Sequence, residues 1–228
     1  MKKPCLSREL CYIFATVFLA IGAALMAKAD FGLSAVVAPA FILSEIFHIS
    51  FGTAEYCLQG VLVVAVCFLV GKFRWTYLLS FVSAFLYGQV LDGFIFLFSL
   101  TGEWGVALRL AMMVVGMVSS SLGVALFFKT YLAPGAYELF VKEVSRRFGI
   151  KIGPFKVIYD LCSFLVAIVL SLAVFHSVFD HNIGLGTVLV ALVNGFIIGL
   201  FSKFLDRLFN YCDWLPWAKY FETPSEKE

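Results

Sequence analysis

The chain has 228 residues, 62% of them hydrophobic and 14% charged, with a formal net charge of +2. A soluble domain carries about 45–50% apolar and about 25% charged residues, and folding at this size still leaves about a third of the unfolded surface exposed. So large an apolar excess excludes a soluble enzyme, a disordered chain and a nucleic-acid binder. The alternating pattern of a barrel is missing, and the class is an all-α membrane protein.

Met1-Lys2-Lys3 precedes an apolar stretch with no small-residue cleavage site, which reads as a first anchor rather than a removable signal. Apolar windows predict six spans, at residues 8–27, 54–70, 75–98, 106–128, 155–178 and 185–204. Each is long enough to cross about 30 Å of hydrocarbon at 1.5 Å per residue. Two segments are too short to span: 34–47, which is apolar, and 135–148, which carries Glu138, Lys142, Glu143, Arg146 and Arg147. Lengths of this kind fit re-entrant or interfacial helices. With the amino terminus inside, 15 of the 17 basic residues fall on the cytoplasmic side, and Lys28 and Arg109 fall outside. That asymmetry supports six spans with both termini in the cytoplasm. Trp75, Trp214 and Trp217 are expected at the inner boundary and Trp104 at the outer one.

At an offset of 101 the sequence matches itself, with nine identities that include Gly22 with Gly123, Lys28 with Lys129, Ser44 with Ser145 and Gly52 with Gly153. Each half reads span, short segment, span, span. Three spans per half turn the second half upside down, giving a 3+3 inverted repeat. Residues 1–100 form the first repeat with short helix 34–47, 101–210 the second with short helix 135–148, and 211–228 a cytoplasmic tail. In inverted-repeat transporters, short helices at matching positions point to the binding site. Ser34 is expected to cap the first and Ala133-Pro134-Gly135 to open the second. Their starts offer N–H groups to an anionic or polar ligand.

The run Asp30-Phe31-Gly32-Leu33-Ser34-Ala35, the later Gly52-Thr53, and Gly184-Leu185-Gly186-Thr187 with Asn194-Gly195, Gly199 and Asp206 resemble the YczE/YyaS/YitT-like bacterial membrane proteins. The likeness departs at Ala35-Val36-Val37, where some members carry Pro-Trp-Asp. The resemblance implies a bacterial inner-membrane protein, often regarded as a transporter, and supplies no catalytic residues.

Several polar residues stand in or beside the apolar runs. Asp92 and Arg109 should share a depth near the outer boundary, as an ion pair or as coupling groups. Lys156 and Asp160 stand one turn apart, and their repeat mates are Glu55 and Gln59; both pairs are substrate-binding candidates or simply solvated helix starts. Glu138 lies in the first turn of the second short helix, where an acid also complements the helix dipole. Asn194 is either a binding group or interhelical glue, and Gly184, Gly186, Gly195 and Gly199 are read as close-contact positions. The substrate-binding candidates are thus Ser34, Gly135, Glu138, Asn194, Glu55, Gln59, Lys156 and Asp160. His48, His176 and His181 have no metal-ligand spacing, and the six cysteines read as packing residues rather than a disulfide or metal set. No nucleotide loop or catalytic triad is visible.

The sequence therefore predicts a secondary transporter of a small polar or amphipathic solute, working by alternating access, without enzymatic activity, cofactor, metal or nucleic-acid partner. Its expected partners are the lipid bilayer and a small-molecule substrate, with a homodimer allowed. The competing readings are a non-transporting membrane subunit or scaffold and, third, an intramembrane enzyme.

Overall fold

The computed structural model describes residues 4–71, 75–130, 135–150, 152–176 and 184–214. Expectations for Lys2, Lys3, Lys72, Arg74, Ala133, Pro134, Lys151, Asp180, His181, Trp217, Lys219, Lys227 and the end of the tail lie outside these residues. Among the described residues the order is β1 (Cys5–Ser7), α1 (Arg8–Ala29), α2 (Ala38–Phe47), α3 (Phe51–Val70), α4 (Trp75–Ser99), α5 (Val106–Phe127), α6 (Ala136–Phe148), α7 (Ile152–Phe175), α8 (Leu185–Leu208) and β2 (Asn210–Cys212). Six of these helices are long and apolar enough to cross a membrane. They present large apolar side chains outward, among them Phe68, Leu192 and Phe196, each more than 70% exposed. A surface of that character needs lipid rather than water.

Local chemistry sets the helix ends. Ser7 caps α1 by accepting from the Leu10 N–H, and Ser50 caps α3 from the Thr53 N–H, so α3 starts three residues before the predicted 54. Asp30 takes the left-handed conformation that closes α1, two residues beyond the predicted end. α7 also begins three residues early, because Pro154 falls in its first turn, where no backbone hydrogen bond is lost. α2 begins at Ala38 rather than Ser34. The Ser34 carbonyl accepts from Val37 and Ala38, closing a turn before the helix. Ser34 is thus not a side-chain cap; the N-cap is Val37, with Pro39 in the first turn.

α1 and α5 form the centre of the bundle and run antiparallel, with their small residues in contact. A Cβ added at Gly22 would lie 2.6 Å from the Gly116 carbonyl oxygen and from the Ser120 nitrogen. At Gly123 it would lie 2.7 Å from the Leu19 nitrogen and 2.9 Å from the Ala15 carbonyl. Ser119 donates to the Phe18 carbonyl at 2.8 Å between them. Around this axis α4 packs on α1 and α8 on α5, while α2 packs on α7 and α6 on α3. Gly184 and Gly186 approach the Phe31 carbonyl as close-contact positions, whereas Gly195 and Gly199 face open space and are not contact glycines.

The segments flanking α1 and α8 meet. β1 pairs in parallel with β2, matching Cys5 with Asn210 and Ser7 with Cys212. The pairing brings Cys5 and Cys212 into a disulfide across 207 residues, with their Cα atoms 6.0 Å apart. Reading all six cysteines as packing residues is therefore corrected for these two, while Cys11 remains a buried packing residue. Since β1 leads into α1 and β2 follows α8, the start of α1 and the end of α8 lie on one side of the bundle.

Candidate functional site

A cavity of about 320 Å³ opens between the two halves, within the roughly 300–1,000 Å³ range of small-molecule sites. Residues 34–37, ahead of α2, line it together with Gly135, Tyr137 and Glu138 at the start of α6. Two turns of α3 supply Glu55 and Gln59, and two turns of α7 supply Lys156 and Asp160. Residues of α1, α4, α5 and α8, mostly small or apolar but including Tyr87 and Asn194, complete the wall.

The best-defined polar element joins α3 to α6. Glu55 is 0% exposed. Its two carboxylate oxygens accept from Gln59 Nε2 at 3.2 Å and from the Tyr137 hydroxyl at 3.1 Å. Gln59 Oε1 in turn accepts from the Ala136 backbone N–H at 2.9 Å, one of the orphan donors at the α6 start. A Cβ at Gly135 would come within 3.0 Å of the same Gln59 oxygen, a tight approach that would make the Gln59 side chain shift by a few tenths of an ångström. Across the cavity, Lys156 Nζ lies 3.4 Å from Asp160 Oδ1, an i,i+4 pair.

All eight substrate-binding candidates, Ser34, Gly135, Glu138, Asn194, Glu55, Gln59, Lys156 and Asp160, line this one cavity. Asn194 also joins two helices: its Oδ1 accepts from Ser121 Oγ at 2.6 Å, across the α5–α8 interface. The pairing expected between Asp92 and Arg109 is corrected. Asp92 accepts from the Gly52 N–H and the Ser50 hydroxyl, both at 2.6 Å, at the amino end of α3. Arg109 Nε donates to the Ala29 carbonyl at 2.7 Å and its Nη2 pairs with Asp30 at 2.9 Å, at the carboxyl end of α1. Each charge sits at the helix end of opposite polarity, where the backbone supplies its partner. Neither residue lines the cavity.

Two lining tyrosines were not singled out from the sequence. Tyr137 bonds Glu55. Tyr87 of α4 is 5% exposed, lines the cavity, and its hydroxyl has no hydrogen-bond partner among the described residues. The available signal was the stripe Tyr77, Ser80, Ser83 and Tyr87, spaced by three and four residues and buried along one face of α4.

A family model described as Family of unknown function (DUF6198) matches residues 6–203, nearly the whole chain. The chain belongs to that family. Comparison with curated proteins finds no match, and comparison with solved structures finds none either.

Proposed function

We propose that this family member is a secondary transporter of a small polar or amphipathic solute, built as a 3+3 inverted repeat and working by alternating access. The observation that carries the reading is the shared cavity. It gathers the repeat-matched pairs Glu55/Gln59 and Lys156/Asp160 together with the segments that open both short helices, the arrangement expected of a transporter site.

Three further observations support the inverted repeat. The contacts of Gly22 with Gly116 and Ser120 become, on shifting each residue by 101, those of Gly123 with Ala15 and Leu19. Phe18 and Ser119, themselves 101 apart, touch each other, as residues on a pseudo-two-fold axis do. Exchange of the halves also maps α1–α4 packing onto α5–α8, and α2–α7 packing onto α6–α3. The re-entrant reading of α6 draws on depth. Its first N–H reaches Gln59, which stands about 12 Å along α3, near the middle of a helix about 30 Å long.

Both termini face the cytoplasm of a bacterial cell, from the distribution of basic residues and the YczE/YyaS/YitT-like motifs, and the chain performs no catalysis. The test uses Gly195→Cys in a background without native cysteines. Gly195 lines the cavity, and an added Cβ there meets no neighbour. Alternating access exposes the introduced thiol to impermeant reagents from either face of a vesicle. Labelling confined to one face under all conditions overturns transport and fits the non-transporting subunit.

A further inference from the structure

Resting on the transport reading of this cavity, we propose that its substrate is a small organic cation, an ammonium group on an apolar body, seated between Glu55 and Tyr87. The charge count points that way. Among the described residues, three acids, Glu55, Glu138 and Asp160, line the cavity against one cation, Lys156, which is paired with Asp160. Glu138 stands in the first turn of α6, where the helix dipole compensates it. Among the described residues Glu55 has two donors, the neutral Gln59 and Tyr137, although it is fully buried. A buried carboxyl group without a countercharge is costly to ionise, and a bound cation offsets that cost.

The second observation is independent of charge. The hydroxyl of Tyr87, a residue of the cavity wall, is buried and has no hydrogen-bond partner among the described residues. An unpaired buried polar group of this kind calls for a ligand or an ordered water. Its oxygen can accept from an ammonium N–H. The rings of Tyr87 and Tyr137 add faces on which a cation is attracted. The rest of the wall, including Leu19, Ala23, Met26, Val124 and Phe127, suits an apolar body.

The helix starts do not favour an anion. The Ala136 N–H is bound to Gln59 and the Val37 and Ala38 N–H groups to the Ser34 carbonyl, so these donors are already occupied.

The experiment compares four probes of similar shape on the purified full chain: benzylamine, benzyltrimethylammonium, benzyl alcohol and benzoate. Binding is read as a rise in Tm and as protection of the Gly195→Cys thiol from alkylation. The two cations protect saturably, and the alcohol and benzoate protect at least tenfold less well. Glu55→Gln lowers cation affinity tenfold or more. Tyr87→Phe removes only the unpartnered hydroxyl; it leaves the Tm of the free protein unchanged or higher and weakens benzylamine several-fold. Because Tyr87→Phe keeps the fold, it decides the matter even where Glu55→Gln does not fold. Protection by benzoate or benzyl alcohol equal to that by the cations overturns the proposal. So do an absence of cation protection and an unchanged benzylamine affinity in Tyr87→Phe. Failure here with thiol access from both faces leaves transport standing and the substrate class wrong. Cation binding with access from one face only has the opposite meaning.

Discussion

The α1–α5 crossing offers the sharpest test of the architecture. Gly22→Ala places a methyl carbon 2.6 Å from the Gly116 carbonyl oxygen, where ordinary contact begins at 3.4 Å. The helices must therefore part by roughly 0.8 Å, and gaps of about 0.5–1 Å forfeit a quarter to a half of each dispersion contact along the crossing. Overpacking of this kind costs about 1–3 kcal/mol, against a gain of about 0.8–1 kcal/mol from replacing glycine within a helix. The expected net loss is about 0–2 kcal/mol relative to the parent, and about 1–3 kcal/mol relative to a glycine replacement that meets no neighbour. Gly195→Ala is the matched control, since its Cβ meets open space and only the propensity gain remains. Gly123→Ala should cost about as much as Gly22→Ala. The double variant should cost less than their sum, because helices already parted for one methyl have room for the other. Unfolding by denaturing detergent, followed by tryptophan fluorescence or gel mobility, measures all four. A Gly22→Ala protein as stable as Gly195→Ala would refute the close crossing, and additive losses would refute a shared axis.

Asp92→Asn should weaken the amino end of α3, and combining it with Arg109→Gln should give losses that add within about 0.3–0.5 kcal/mol, since the two residues have separate partners; a coupling above 1 kcal/mol would restore the direct pair. Gln59→Leu strands the buried Ala136 N–H and leaves Glu55 with one donor; the expected destabilisation is about 1–3 kcal/mol, and amide exchange at Ala136 should rise with it. After oxidation of the purified protein, peptide mapping without reductant should recover Cys5 linked to Cys212, and Cys5→Ser should abolish the linked peptide; a Cys5 thiol that alkylates fully in the oxidised protein argues against the ribbon of β1 and β2. Glu103→Cys should label from outside intact cells and Arg147→Cys should not, both positions being exposed; the reverse pattern would invert the topology.

Much of the fold was legible because lipid imposes one coarse rule: a spanning helix needs about 20 apolar residues. All six long helices follow it, and α2 and α6 stand out because they cannot. Hydropathy is blind to the groups that set helix ends. The α3 boundary is fixed by the Ser50 hydroxyl and the α1 boundary by the left-handed Asp30, which are single-residue effects inside or beside apolar windows. The ribbon of β1 and β2 was not legible at all. Strands of three residues have no readable period, and a pairing across 207 residues leaves no local trace.

The site was legible to the extent that the repeat was. Register at 101 residues selects Glu55, Gln59, Lys156 and Asp160 together with the two short-helix starts, and these positions share one cavity. Asp92 and Arg109 were misassigned because equal depth counts only side chains as partners. In a bundle of helices the backbone ends are the nearer charges: Asp92 finds N–H groups at the start of α3, and Arg109 finds carbonyls at the end of α1. The same reasoning turned inward separates Glu55 from every other acid on the cavity wall. Asp160 has Lys156, and Glu138 has the start of α6. Glu55 lies a turn inside α3, past the positive end that Asp92 already occupies, and the groups that reach it carry no charge. A chain that keeps a carboxylate at that depth with neutral company, beside an unpartnered Tyr87 hydroxyl, has left a place that a cation completes.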